Sequence, residues 1–293
     1  NGKKMPIMGY GTFFSEEAKS LHDSIVYAVT EVGYRHIDTA SLYGNEEVIG
    51  EALKECFEKG IKREDMFITT KLWRTDFNDV EGSLKKSLEK LKLDYVDLYL
   101  IHFTVTDIDW DTCEVKGPPM HEVWKNMEKV CEAGLTKNIG VSNCNCMMFI
   151  DMMAYAKIRP VTNQIETNPH FAQTDLIKFT QKFGWTTTAY APIGASGFTG
   201  NDLLKDPTLK EIGDKHNATP AQISLAWNIK RGVIVIPKSL TKERIKQNYE
   251  ALDIKLDEGD MDKLNQLDQG KRKFDPKGWD APQYNWKFVP IFE

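Results

Sequence analysis

The feature that most constrains this chain is an alternation that runs along most of its length. Short apolar runs rich in β-branched residues alternate about eight times with longer segments of helical periodicity between Arg35 and Asn248. Because strand and helix follow each other without interruption, the pattern predicts a parallel sheet covered by helices. After a less clear first strand before Tyr34, the predicted strands are His36–Thr39, Met66–Leu72, Val96–His102, Ile139–Ser142, Val161–Glu166, Thr186–Ala191 and Val233–Pro237. The predicted helices are Ser20–Glu31, Glu46–Lys59, Asp79–Leu91, Met120–Ala133, Met147–Ala156, Thr174–Phe183 and Pro220–Lys230.

A closed (β/α)₈ barrel and an open doubly wound sheet both fit this alternation, and a glycine pattern separates them. An open dinucleotide-binding sheet carries G-x-G-x-x-G at its first turn from strand to helix. Residues 9–14, with the sequence GYGTFF, lack the third glycine, so the barrel is favoured. No Gly/Ser linker, charge block or short repeat divides the chain. We therefore predict an α/β fold with one barrel domain over residues 1–293 and the active site at the C-terminal ends of the strands.

Composition narrows the range of partners. A net charge of −5 over 293 residues argues against a general affinity for nucleic acid or for anionic membranes. No stretch approaches the roughly 18 apolar residues of a membrane helix, and the first residues do not resemble a secretion signal. The cysteines are odd in number and scattered, which is typical of a reducing compartment; they are Cys56, Cys113, Cys131, Cys144 and Cys146. We predict a cytoplasmic protein that is a monomer or a homodimer.

Polar side chains stand where the predicted strands end. One strand ends in Asp38, the next in Lys71 and the one after it in His102. Alone, each has an ordinary explanation as a helix cap, a solvated lysine or a core histidine. In a barrel, however, the C-terminal ends of all strands open on one face, so these three side chains should converge there. Further polar residues at strand ends are Ser142, Asn143, Gln164, Glu166, Tyr190, Lys238 and Ser239.

The chemistry of these groups points to proton transfer. A lysine buried beside a carboxylate stays protonated, and its charge favours the phenolate form of a neighbouring phenol. Tyr43 follows Asp38 on the next loop and supplies that phenol, so it is the predicted general acid. His102 is expected to hold the carbonyl oxygen of a substrate. The predicted catalytic group is therefore Asp38, Tyr43, Lys71 and His102.

Four motifs together resemble the aldo-keto reductase family over nearly the whole chain. Residues 4–12 (KMPIMGYGT) are similar to the family's opening hairpin and first strand. Residues 33–46 contain GYRHIDTA and YGNE and resemble the segment with the catalytic Asp and Tyr. Residues 70–73 (TKLW) resemble the lysine motif, and residues 97–102 (DLYLIH) resemble the histidine motif.

The resemblance implies NADPH as cofactor, direct hydride transfer to an aldehyde carbon, and no metal. The cofactor would lie extended across the barrel mouth, with its carboxamide and nicotinamide ring held by Ser142, Asn143, Gln164 and Tyr190. By the same resemblance, its adenosine end would be held by residues that follow the last strand. The residues implied in cofactor binding are Gly11, Thr12, Phe13, Ser142, Asn143, Gln164, Tyr190, Lys238, Ser239, Arg244, Gln247 and Asn248.

Departures from the family pattern bear on the substrate. The catalytic histidine is followed by Phe103 and Thr104, where many members have Trp-Pro. Together with a tail that ends in VPIFE, this resembles the aldose and xylose reductase type and suggests aldoses such as xylose. Asn168 and His170, by contrast, depart from the usual His-Pro-Tyr. Residues 270–293 are predicted to form a tail near the barrel mouth, and the predicted substrate-binding residues are Phe13, Trp73, Phe103 and Trp286.

Two other functions are also compatible with these residues. Lys71 could form a Schiff base in a barrel aldolase or lyase, or the chain could be a non-catalytic binding or structural member of the family. Cys144 and Cys146 form a C-x-C pair without a second pair at ligand spacing, so no metal site is predicted. Glu46 and Glu47 are assigned to the first turn of a helix rather than to an acid/base pair.

Overall fold

The computed structural model describes residues 4–13, 17–109, 112–195 and 203–275. Within these ranges eight strands pair in parallel, each with the next along the chain. They are β1 (Tyr10–Gly11), β2 (His36–Asp38), β3 (Phe67–Leu72), β4 (Leu98–Ile101), β5 (Ile139–Ser142), β6 (Thr162–Glu166), β7 (Thr186–Tyr190) and β8 (Val233–Val235). The predicted strands from β2 onward are confirmed to within about two residues at each end.

The sheet closes on itself between its first and last strands. Met8 forms a parallel bridge with Val235, and the Gly9 amide donates to the Val235 carbonyl at 2.8 Å. The Gly11 amide donates to the Pro237 carbonyl at 3.0 Å. A Cβ on Gly11 would lie 2.6 Å from the backbone oxygen of Ile236, so this approach requires glycine. The predicted (β/α)₈ barrel is therefore confirmed, whereas residues 4–13 contain no opening hairpin.

Helices surround this barrel. They are α1 (Ala18–Tyr27), α2 (Glu46–Glu58), α3 (Val80–Leu91), α4 (Met120–Glu132), α5 (Cys146–Tyr155), α6 (Thr174–Lys182), α7 (Pro207–His216), α8 (Pro220–Lys230), α9 (Lys242–Glu250) and α10 (Glu258–Asn265). Helix α8 begins as predicted: Thr219 caps it and shares a capping box with Gln222, and Pro220 occupies the first turn. The sequence prediction omitted α7, α9, α10 and an antiparallel ribbon, Ile108–Asp109 with Glu114–Val115.

The alternation of side chains along each strand separates two cores. Ile68 of β3 and Tyr99 of β4 belong to the large apolar cluster between strands and helices. Phe67, Leu98 and Leu100 form a separate small cluster with Met5 inside the barrel. Because side chains alternate between the two faces of a strand, positions 71 and 102 lie on the same inward face as this inner cluster. The barrel interior is thus apolar at one end and polar at the end where the strands finish.

Candidate active site

Three of the four predicted catalytic side chains contact one another at the C-terminal ends of β2 and β3. Lys71 Nζ donates to Asp38 Oδ1 at 2.6 Å and to the Thr39 carbonyl at 2.7 Å. It lies 3.4 Å from the Tyr43 hydroxyl. Lys71 is 0% exposed and Asp38 is 2% exposed. Burial lowers the pKa of Lys71 below its usual value, and the Asp38 carboxylate opposes that shift.

Local geometry explains how Tyr43 reaches this pair. A short 3₁₀ helix, Ser41–Tyr43, follows β2 and ends at Gly44, whose φ of 66° lies in the left-handed region that favours glycine. Ser41 Oγ donates to the Lys71 carbonyl at 3.0 Å and holds this turn against β3. The phenol is therefore fixed beside the ammonium by backbone contacts as well as by packing.

His102 completes the predicted group from the end of β4. Its ring makes an edge contact with that of Tyr43 at 5.7 Å and with that of Trp73 at 5.2 Å, and stacks on Phe103 at 5.8 Å. Burial, assisted by the Lys71 charge, holds its pKa well below the usual value, so the imidazole is neutral at physiological pH. Among the described residues, Nδ1 has no hydrogen-bond partner. A neutral ring can donate one hydrogen bond to an oxygen placed beside it.

A second polar group lines the neighbouring strands β5, β6 and β7. The Tyr190 hydroxyl donates to Asn143 Oδ1 at 2.8 Å. Asn143 Nδ2 donates to the His102 carbonyl at 3.0 Å, and the Asn143 φ of 56° is left-handed. Ser142 Oγ donates to the Gln164 carbonyl at 2.8 Å. Strand ends thus bring together the four residues that the sequence assigned to the carboxamide and the nicotinamide ring.

Gln164 joins the two groups through a contact that no sequence motif predicts. Its Nε2 donates to Asp38 Oδ2 at 2.7 Å, while Lys71 occupies the other carboxylate oxygen. Thr12, which follows β1, also contacts Asp38 of β2: its hydroxyl donates to the Asp38 backbone carbonyl at 3.0 Å. The residue types alone could not have shown that Asp38 is shared between β1, β3 and β6.

The residues predicted to hold the adenosine end of the cofactor lie after β8. Lys238 and Ser239 are half-buried, Arg244 is exposed on α9, and Asn248 of the same helix is 5% exposed. The Tyr10 hydroxyl donates to the Ser239 carbonyl, which fixes this loop to β1. Cationic groups therefore occur at the start of a helix, on the side of the mouth where the barrel closes.

Aromatic side chains surround His102 and Tyr43. Trp73 is 4% exposed and Phe103 is 3% exposed. Phe13 makes an edge contact with Tyr43 at 5.0 Å. The fourth predicted substrate residue, Trp286, lies outside the described residues, as do Trp110, Phe198, Trp279, Tyr284 and Phe288.

A family model described as the aldo/keto reductase family matches residues 7–269. This match covers the whole barrel and ends before residues 270–275, the last described residues of the chain. The chain belongs to the aldo/keto reductase family.

Relatives match this aldo/keto reductase over almost its full length. Aldo-keto reductase family 1 member A1 from Gallus gallus is 40% identical, with 94% of this chain and 89% of its own length covered. Aldose reductase B from Dictyostelium discoideum is 39% identical, with 99% and 95% covered. A crystal structure of an aldo-keto reductase complexed with NADPH is 35% identical and superposes with a TM-score of 0.88, with 99% and 92% covered.

Other features of this aldo/keto reductase bear on alternative sites. Glu46 and Glu47 lie in the first turn of α2 as predicted, but Glu46 is buried and accepts hydrogen bonds from Thr70 at 2.6 Å and Ser87 at 3.1 Å. No cluster of three or more metal-ligating side chains occurs among the residues that the structure describes. Over the same ranges, none of the helices combines the length and the apolar character that crossing a membrane requires.

Proposed function

We propose that this protein reduces aldehydes to alcohols with NADPH. The observation that carries the proposal is the contact of the buried Lys71 ammonium with both Asp38 and the Tyr43 hydroxyl, at the mouth of an aldo/keto reductase barrel. Two relatives support the choice of cofactor. One solved structure is described as complexed with NADPH, and a relative from Malus domestica is named NADP-dependent D-sorbitol-6-phosphate dehydrogenase.

The residues at the mouth suit this cofactor. Asn143 and Gln164 offer amide groups that complement a carboxamide, and the half-buried Tyr190 offers a ring on which a flat heterocycle can stack. Lys238 and Arg244 supply the local positive charge that an acidic chain needs to hold phosphates. When bound, the cofactor supplies a hydride from C4 of its nicotinamide to the carbonyl carbon.

The chain's own residues then manage the oxygen of the carbonyl group. Tyr43 donates the proton that converts the developing alkoxide to an alcohol. Lys71, kept charged by Asp38, stabilises the phenolate that this leaves behind. Neutral His102 donates a hydrogen bond that orients the carbonyl oxygen toward Tyr43. No metal ion is needed for any of these steps.

The shape of the site favours an aldehyde that an aromatic wall can contact. Phe13, Trp73 and Phe103 provide apolar surface around the proposed reaction centre. Aldoses such as xylose are the proposed substrates, because the Phe103 position and the tail resemble that branch and a relative is named aldose reductase B. Trp286 and the rest of the tail, residues 276–293, belong to this proposal as a further wall. The cytoplasmic location and the monomeric or homodimeric state stay predictions.

The environment of Lys71 does not favour the Schiff-base alternative. Its amine is fully buried and already bonded to Asp38 and to the Thr39 carbonyl. A Schiff base requires a free, neutral amine with room for a tetrahedral carbon. The four predicted catalytic side chains also lie together at one end of the barrel, which argues against a non-catalytic member.

Replacing Tyr43 by Phe tests the proposal directly. The ring contacts remain while the proton donor is lost, so turnover with a saturating aldehyde should fall by about 10²- to 10⁴-fold. NADPH affinity, measured by fluorescence titration, should be unchanged within a few-fold. Tyr155→Phe on α5 is the matched control and should behave as wild type. Turnover of Tyr43→Phe within threefold of wild type would contradict the assigned role. Covalent attachment of the substrate to the wild-type protein on treatment with borohydride would instead support the Schiff-base aldolase.

A further inference from the structure

A buried carboxylate that the proposed reaction does not use lies at the end of β6. Glu166 is 0% exposed. Its Oε1 accepts the backbone N–H of Lys273 at 2.9 Å, and its Oε2 accepts that of Phe274 at 2.9 Å. Burial raises the pKa of this carboxyl, while the tail's own hydrogen bonds and the cations of Arg272 and Lys273 oppose that shift. Both oxygens of one buried group are therefore committed to backbone far away in sequence.

These two bonds belong to a longer docking contact. The C-terminal segment, residues 268–275, lies against the loop of residues 166–173. Asp268 Oδ1 accepts the Ala172 amide at 3.3 Å, and the Gln269 amide donates to the His170 carbonyl at 3.0 Å. The Arg272 guanidinium lies 4.6 Å from the Phe171 ring centroid. Glu166 contributes to this contact from the end of a barrel strand, β6.

The segment delivers one aromatic side chain to the site. Phe274 is 9% exposed, and its ring meets that of Tyr190 edge-on at 5.6 Å and 86°. It also meets Phe13 at 6.1 Å and 74°. Tyr190 is held at its other end, because its hydroxyl donates to Asn143 Oδ1. The Tyr190 ring therefore has a hydrogen bond at its hydroxyl and an edge contact with Phe274.

We infer that Glu166 is a positioning residue. It anchors the C-terminal segment so that Phe274 fixes the orientation of the Tyr190 ring. The stacking role of Tyr190 rests on the proposed function, whereas the anchor itself rests only on the contacts of Glu166. A carboxylate suits this role because it accepts two parallel N–H bonds without a donor of its own, whereas an amide would turn an N–H₂ group toward one of them.

Hydrogen exchange tests the anchor without any ligand. In Glu166→Gln, the backbone amides of Lys273 and Phe274 should exchange about tenfold or more faster than in wild type, because their acceptor is weakened. Asp175→Asn is the matched control, since it removes one carboxylate charge from the exposed start of α6 nearby. Its exchange at residues 273 and 274 should equal that of wild type. Equal exchange in Glu166→Gln and wild type would overturn the anchor.

Titration with NADP⁺ by calorimetry tests the consequence for Tyr190. Phe274→Ala keeps the backbone bonds to Glu166, so its amide exchange at position 273 should stay slow, yet its affinity should fall by about three- to tenfold because an edge contact is lost. Glu166→Gln should show both effects, and Phe274→Tyr, which keeps the ring, should restore wild-type affinity.

The outcomes separate this inference from the proposed function. Fast exchange in Glu166→Gln with unchanged NADP⁺ affinity in both variants would show that the anchor does not position Tyr190, and would overturn that step. Phe274→Tyr that binds as weakly as Phe274→Ala would do the same. Failure of wild type to bind NADP⁺ would overturn the proposed function and the role of the Tyr190 ring, while the exchange measurements would still decide on the anchor.

Discussion

Replacing Asp38 by Asn should destabilise the fold by an amount that depends on pH. The substitution keeps the size of the side chain and removes the charge that faces Lys71 at 2.6 Å. Both partners lie almost wholly away from solvent, with side-chain exposures of 0% for Lys71 and 2% for Asp38. Water therefore cannot replace the lost carboxylate, and the amine must lose its proton or remain as an uncompensated charge.

The size of the effect follows from these two routes. Leaving a buried charge without its partner costs about 3–5 kcal/mol. Keeping a lysine neutral costs about 1.4 kcal/mol for each pH unit below its ordinary pKa of about 10.4, or about 4–5 kcal/mol at pH 7 and about 2 kcal/mol at pH 9. Because the variant's native state then binds fewer protons than its unfolded state, its stability rises with pH. We expect Lys71 to lose its proton, so the stability difference from wild type should shrink between pH 7 and pH 9.

Urea unfolding at pH 7, 8 and 9 measures this difference. The matched control is Glu81→Gln, since Glu81 and Lys85 on α3 are also 2.6 Å apart but have exposures of 59% and 61%. Water screens that pair, so the control should be indistinguishable from wild type at every pH. A loss below about 1 kcal/mol for Asp38→Asn at pH 7 would refute the argument from burial. A large loss that stays constant up to pH 9 would refute the deprotonation of Lys71.

Two further predictions concern the cofactor and the barrel interior. Arg244→Ala should weaken NADPH much more than NADH in binding titrations, because an arginine suits a 2′-phosphate; Lys246→Ala is the control, and an equal loss for both cofactors would exclude this role. Burial lowers the pKa of His36 to about 4, so native His36 stays neutral while the unfolded chain takes up a proton below about pH 6.5. The free energy of unfolding should therefore fall by up to about 3 kcal/mol from pH 6.5 to pH 4. The fall should be smaller in His36→Gln. It should be unchanged in His121→Gln, because the side chain of His121 is exposed.

The sequence predicted the barrel well because its strands carry a strong local signal. In β3 and β4, for example, Ile68 and Tyr99 pack against the helices, while Phe67, Leu98 and Leu100 fill the interior. The first strand was the exception. Tyr10–Gly11 spans only two residues, and its pairing with β2 and the bridge next to it involve partners that no local pattern shows.

Two of the omitted helices, α9 and α10, lack a pattern that sets them apart from polar loops. Helix α9 has the sequence KERIKQNYE, in which Ile245 and Asn248 are the buried residues, so its apolar stripe is narrow. Helix α10 spans eight residues and depends on a capping box between Asp257 and Asp260. Tertiary contact, rather than periodicity, stabilises such short elements.

The site was predictable as a set of strand ends but not as a network. Asp38, Lys71 and His102 could be grouped because barrel topology brings strand termini together. The hydrogen bond from Gln164 to Asp38 could not be predicted, nor could the hydrogen bonds that Glu166 accepts from the C-terminal segment. Each depends on the register and the side-chain direction of segments that are distant in sequence. Glu166 stood out in the sequence only as a polar residue at a strand end.

Because the barrel closes between Met8 and Val235, it cannot be completed until both its first and its last strand have been synthesised. During synthesis, the edge of β1 stays unpaired until β8, the last of the eight strands in chain order, has been made. Until then the nascent sheet has two open edges, and the incomplete chain is vulnerable to association with other unfinished chains. The seam finishes between the GTF segment of residues 11–13 and the loop that begins at Lys238, both proposed to contact the cofactor. Bound dinucleotide would then hold the first and last strands of the barrel together, and its supply in the cell would influence how long a newly made barrel survives.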